Sequence, residues 1–156
     1  MDNSEIVEQI NNVKGFDCFE KPEETEFRYL ESLNLPEEVL NFYAQYSPAE
    51  IIEMNGIRLL PISEIIEENT NFTPGYILTP LGFCVVASTV EGDIYCIRKT
   101  TNDYSIVIAS HDEIYEGLNE SEILNGTKPV VKTFSDFFKA YVQRELAVSY
   151  YDLEIE

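Results

Sequence analysis

The single histidine of the chain, His111, lies in the run Ser110-His111-Asp112-Glu113. That run holds the residue types of nucleophilic catalysis: a hydroxyl, an imidazole and a carboxylate. Adjacent side chains on a strand or loop point in different directions, so closeness in sequence does not make these residues a triad. A loop histidine with one hydrogen bond is the simpler reading. No HExxH, CxxC, GxSxG or phosphate-cradling GxxxxGKS/T pattern accompanies it, and the seven glycines are scattered singly. Carboxylate pairs such as Glu91/Asp93 or Asp112/Glu113 can be drawn almost anywhere in a chain with 29 acidic residues, and that abundance removes their information. General acid–base work needs one carboxyl desolvated, whereas Glu23-Glu24-x-Glu26 and Glu67-Glu68 read as solvated helix faces. The regular oxygen spacing of a calcium loop is missing too. The expectation is no catalysis, no metal and no cofactor.

What remains is recognition. Ten basic against 29 acidic residues leave a formal net charge of −19. Such a surface repels a phosphate backbone and speeds encounter with a basic protein. With no Trp, the ten tyrosines are the natural interface anchors, each a rigid apolar body with a hydroxyl that tolerates a wet rim. Turns and the loop after the strands gather both kinds of residue. They nominate Glu91, Asp93, Tyr95, Asp103, Tyr104, Asp112, Glu113, Tyr115 and Glu116 as a partner-binding set. For each carboxylate taken singly, the competing reading is a plain solvated turn residue. Phe134, Phe137 and Phe138 are spaced as core.

These residues must be positioned by elements that the apolar pattern delimits. Ile6, Val7, Ile10 and Val13 mark an N-terminal helix over residues 4–14, with Asp2, Asn3 or Ser4 as cap and Gly15 as stop. Helices follow after Pro22 and after Pro36, the second ending before Ser47-Pro48. Ile51 to Met54, Asn55-Gly56 and Ile57 to Leu60 read as a hairpin with a type I′ turn. Ser63 is expected to cap a short helix over 64–69. Three strands, 83–88, 93–98 and 104–109, form an antiparallel meander. Residues 110–129 read as an acidic loop with a short helix near Asp112 to Tyr115, and Val130-Val131 as an edge strand or the approach to a last helix. That helix is amphipathic, capped by Ser135, with Phe134, Phe137, Phe138, Tyr141, Val142 and Leu146 on one face. Helices segregated around one run of strands make the fold class α+β. The chain's 156 residues suit a single domain, its core about 23–146, with the N-terminal helix and the acidic ending 149–156 as appendages. Three dispersed cysteines, no leader-like start and no apolar run near 18 residues give the expectation of a cytoplasmic protein without a membrane span.

Four segments, in order, resemble the SUKH superfamily, which joins yeast cell-wall-assembly (glucan synthesis) regulators to bacterial immunity proteins. They are Phe27 to Tyr43, with Leu35-Pro36 before the Phe42-Tyr43 helix; Leu59-Leu60-Pro61-Ile62-Ser63-Glu64-Ile65; Phe83 to Arg98, with Glu91-Gly92-Asp93-Ile94-Tyr95; and Thr133-Phe134-Ser135-Asp136-Phe137-Phe138. Two departures are visible. Ser47-Pro48 stands where the family often has Asn-Gly-Gly, and the Trp often found near the Phe-Tyr helix is absent. The resemblance implies a curved antiparallel sheet flanked by helices and a binding role without catalysis. In the bacterial branch it implies neutralisation of a cognate, basic toxin such as a nuclease inside the producing cell. A regulatory scaffold, as in the yeast branch, is the alternative.

Overall fold

The computed structural model of the chain describes residues 2–100 and 104–153. Helix α1 (Asn3–Lys14) begins where the Asp2 carboxylate accepts the Glu5 N–H and ends at Gly15, in the left-handed region at φ 83°. It is no appendage: Ile6 and Ile10 are fully buried in the same core as the sheet. Helices α2 (Glu24–Ser32) and α3 (Glu37–Gln45) follow, and the step Ser47–Pro48 (β2) pairs antiparallel with Phe19–Glu20 (β1).

The principal sheet is open, antiparallel and sequential: β3 (Ile52–Met54), β4 (Ile57–Leu59), β5 (Phe83–Thr89), β6 (Ile94–Lys99), β7 (Tyr104–Ala109) and β8 (Thr127–Val131). Asn55 and Gly56, both at positive φ, make the tight β3–β4 turn. Buried residues run almost without alternation through β5 and β6 and along the second half of β7, so both faces of the sheet are covered there. Register shifts at Val85/Ala87 and Ile106/Val107 mark bulges, which bend and twist a sheet locally. One edge is β8, which carries Lys128 and Pro129, residues that discourage pairing with another chain.

Helix α7 (Phe134–Val142) packs against β7 and β8, while α4 (Ile62–Thr70) and α5 (Gly75–Leu78) pack against β5. Phe42, Phe134, Phe137, Phe138 and Tyr43 form an aromatic cluster in which Phe42 and Phe138 centroids are 4.4 Å apart. Each fully buried ring is worth roughly 2–3 kcal/mol of transfer free energy. The architecture is α+β, with helices around one antiparallel sheet.

Several local expectations change. Pro61 and Thr133, rather than Ser63 and Ser135, stand at the N-caps of α4 and α7, and the Thr133 hydroxyl accepts the Asp136 N–H. Residues 111–113 are a turn, and 114–115 are irregular. The helix of that loop is α6 (Glu120–Asn125), held by a reciprocal capping box between Asn119 and Glu122. α7 ends at Val142, and Leu146 is buried beyond it. The C-terminal segment through Leu153 is fastened to the domain: the Lys128 ammonium donates to the carbonyls of Tyr150 and Leu153.

Candidate partner-binding surface

The turn after β5, the loop after β7, the Asn55-Gly56 turn and the start of β8 all lie at one end of the sheet, as the antiparallel order requires. A buried carboxylate organises this end. Asp93 is 1% exposed; its Oδ1 accepts the His111 backbone N–H at 3.0 Å and the His111 Nδ1–H at 2.7 Å, and its Oδ2 accepts the Tyr150 N–H at 2.7 Å. A buried carboxylate costs several kcal/mol to desolvate unless it is hydrogen-bonded, and these three donors supply the compensation. Three segments far apart in sequence therefore meet on one side chain. Gly92, at φ 94°, lets the backbone pass under the imidazole: a Cβ there would stand 3.3 Å from the ring.

The far side of the ring faces carboxylate as well, with Nε2 3.3 Å from Asp112 Oδ1. Ser110 Oγ accepts the backbone N–H groups of Asp112 and Glu113, which shapes the turn. This arrangement fixes the loop and presents its carboxylates. Among the described residues no group of three or more His, Cys, Asp or Glu side chains is placed to hold a metal ion.

The nominated residues divide into four groups. Glu91, Asp112, Glu113, Tyr115 and Glu116 are exposed at this end, Tyr115 at 58%. Asp93 and Tyr95 leave the surface set. Asp93 is the organiser just described, and Tyr95 is fully buried, its hydroxyl donating to the Ala147 carbonyl at 2.6 Å and its ring against Phe137. Burial pushes the Tyr95 phenol far above its ordinary range. Tyr104 lies at the opposite end of the sheet, half-buried, with its hydroxyl bonded to the Glu38 carboxylate; Glu38 Oε1 also accepts the Ser135 N–H at the start of α7. Asp103 lies outside the described residues.

Two exposed residues join the acidic end without having been nominated. Tyr151, 56% exposed, donates its hydroxyl to Glu113 Oε1 at 2.8 Å, and that bond raises its phenol pKa. Val90, in the β5–β6 turn, is 46% exposed beside Gly56. The adjacent aromatic pair Tyr150-Tyr151 was the available signal for Tyr151: an aromatic pair in an acidic ending is worth anchoring. Val90 offered no comparable signal. The outcome is an acidic rim with two exposed phenol rings and one valine, held by a buried carboxylate.

No helix among the described residues is long and apolar enough to cross a membrane. In comparison with known proteins, the model of the SMI1 / KNR4 family (SUKH-1) matches residues 23–140. Neither the curated proteins nor the solved structures give a match.

Proposed function

This chain belongs to the SMI1 / KNR4 family (SUKH-1), and from that premise we propose that it is a non-enzymatic, cytoplasmic immunity protein that neutralises a cognate basic toxin by direct binding. The observation that carries the reading is the acidic end of the sheet. Glu91, Asp112, Glu113 and Glu116 are exposed at the same end of the sheet as the rings of Tyr115 and Tyr151, on segments tied to one another through Asp93. Carboxylates at a rim accelerate capture of a cationic protein, and desolvated aromatic anchors slow its release. Rigid presentation lowers the ordering cost of association. The net charge of −19 acts in the same direction over longer range.

The test is coexpression with the product of the neighbouring open reading frame. Copurification together with relief of growth arrest is expected. A triple variant, Glu91→Lys, Asp112→Lys and Glu116→Lys, should lose both and remain folded. Toxicity that persists beside well-expressed protein would refute the immunity role. Copurification without any toxicity to relieve would move the assignment to a regulatory scaffold.

A further inference from the structure

A second surface stands apart from the acidic end. Past the left-handed Gly15 the chain turns back beside α1, and Asn11 orders the turn: its Oδ1 accepts the Cys18 N–H at 2.8 Å and its Nδ2 donates to Asp17 at 3.2 Å. The Cys18 carbonyl accepts the Ala49 N–H at 2.9 Å, which draws residues 49–52 alongside. Between these two segments lies an open cleft of ≈ 250 Å³. Its walls include Phe16, 63% exposed, and Ile51, 45% exposed, with Asp17 and Glu50 on the rim. Two large apolar side chains, one from each segment, are therefore exposed beside the same cleft. Phe16, Asp17 and Cys18 precede the family match, which begins at residue 23, so one wall of the cleft lies outside the matched region.

Strand addition is disfavoured at this surface. The adjacent edge strand β3 already has its carbonyls engaged: Glu53 O accepts the Lys14 ammonium at 2.9 Å and Ile52 O accepts the Tyr141 hydroxyl at 2.6 Å. Lys14 is the one basic residue of the cleft wall; its ammonium is held at the Glu53 carbonyl and keeps its charge, so with Asp17 and Glu50 the wall carries a formal net charge of −1. A second copy of the chain would bring another 19 negative charges to the contact, which opposes self-association.

We propose that this cleft docks an extended basic segment of a protein partner, one aliphatic side chain entering between Phe16 and Ile51 while lysines or arginines two residues to either side meet Glu50 and Asp17. Side chains at i and i+2 of an extended chain lie on one face about 7 Å apart, which suits an apolar centre with charged flanks. The inference rests on the reading of this chain as a binder of basic protein, but not on that partner being a toxin.

The probe is the peptide acetyl-Gly-Lys-Val-Leu-Val-Lys-Gly-amide, titrated into the ¹⁵N-labelled full chain. Amide shifts are expected at Phe16, Cys18, Glu50 and Ile51. Binding should weaken about tenfold when serine replaces the central leucine of the peptide, and vanish when glutamates replace its lysines. Ile51→Ser and Glu50→Lys should each weaken it with the spectrum otherwise preserved, and Phe16→Ser provides a second apolar variant should one of these misfold. Shifts centred on Glu91 and Asp112, or none at any concentration, would overturn the proposal. So would a dimer in sedimentation that Ile51→Ser returns to monomer, because the occupant would then be a second copy. Coexpression reports whether a toxin is bound and the titration reports where a basic segment sits, so failure of one is separable from failure of the other.

Discussion

The acidic end of the sheet and the N-terminal cleft are both exposed and both carry aromatic or aliphatic anchors, yet they are built by opposite means. At the acidic end a buried carboxylate draws together a turn, a loop and the C-terminal segment, through three short hydrogen bonds from residues 18 and 57 positions away. At the cleft, side-chain amide and main-chain bonds order two segments around open apolar walls, and no buried charge is involved. The difference teaches where each surface is vulnerable. The first depends on a single polar atom group and should fail as a unit, whereas the second should tolerate change at its walls and lose only recognition.

The sharpest way to break this contrast is Asp93→Ala, which removes the acceptor of the buried Tyr150 N–H and of the part-buried His111 donors. It should cost about 4 kcal/mol in urea denaturation. Hydrogen exchange should accelerate over residues 147–153 and 110–113 while α1 keeps its protection. A loss under about 1 kcal/mol would show that the carboxylate does not organise this end. Gly92→Ala comes next, at about 2 kcal/mol, because a Cβ at φ 94° is strained and also meets the His111 ring at 3.3 Å. Wild-type stability here would mean that the turn has room to move.

Alkaline titration gives a smaller effect with a defined sign. The Tyr151 phenol is raised above its ordinary value of 10.0 by its bond to Glu113, and that of Tyr150 by burial and then by Glu113 and Asp93. Groups with raised folded-state values contribute stability that is complete below pH 10 and is lost as pH rises through those values. Limited proteolysis from about pH 8 to about pH 11 should therefore open the C-terminal segment before the cleft. There the one phenol in contact, Tyr141, is pushed far higher by burial. Simultaneous cleavage at both would remove the distinction. The smallest effect belongs to Ile51→Ser, an exposed wall residue that should change stability by about 0.5 kcal/mol or less. A larger loss would make the cleft part of the core.

The strands and the hairpin were legible because Phe83 to Ser88, Ile94 to Ile97 and Ile106 to Ala109 are apolar runs, and because Asn55-Gly56 has a single favoured turn geometry. The family was legible from the order of four weak motifs, and the matching model spans residues 23–140. Asp93 was misread because an aspartate after glycine has the signature of a solvated turn, and its partners are distant in sequence. The burial of Tyr95 was not legible because β6 is covered on both faces, by elements distant from it in sequence. Helix α6 buries only Ile123, so no apolar stripe announces it, although Asn119 and Glu122 carried its capping signal. The packing of α1 and of residues 149–153 depends on contacts made across the whole chain, which local pattern does not contain.

The central claim is that this chain works by holding a basic protein at the acidic end of its sheet. Its most direct test is hydrogen exchange of the chain alone and in complex with the coexpressed neighbouring gene product. The account predicts new protection over the turn at Glu91 and the loop from Asp112 to Glu116, diminished by Glu91→Lys with Glu116→Lys and by added salt. Stable complex formation with those segments exchanging as freely as before would contradict it.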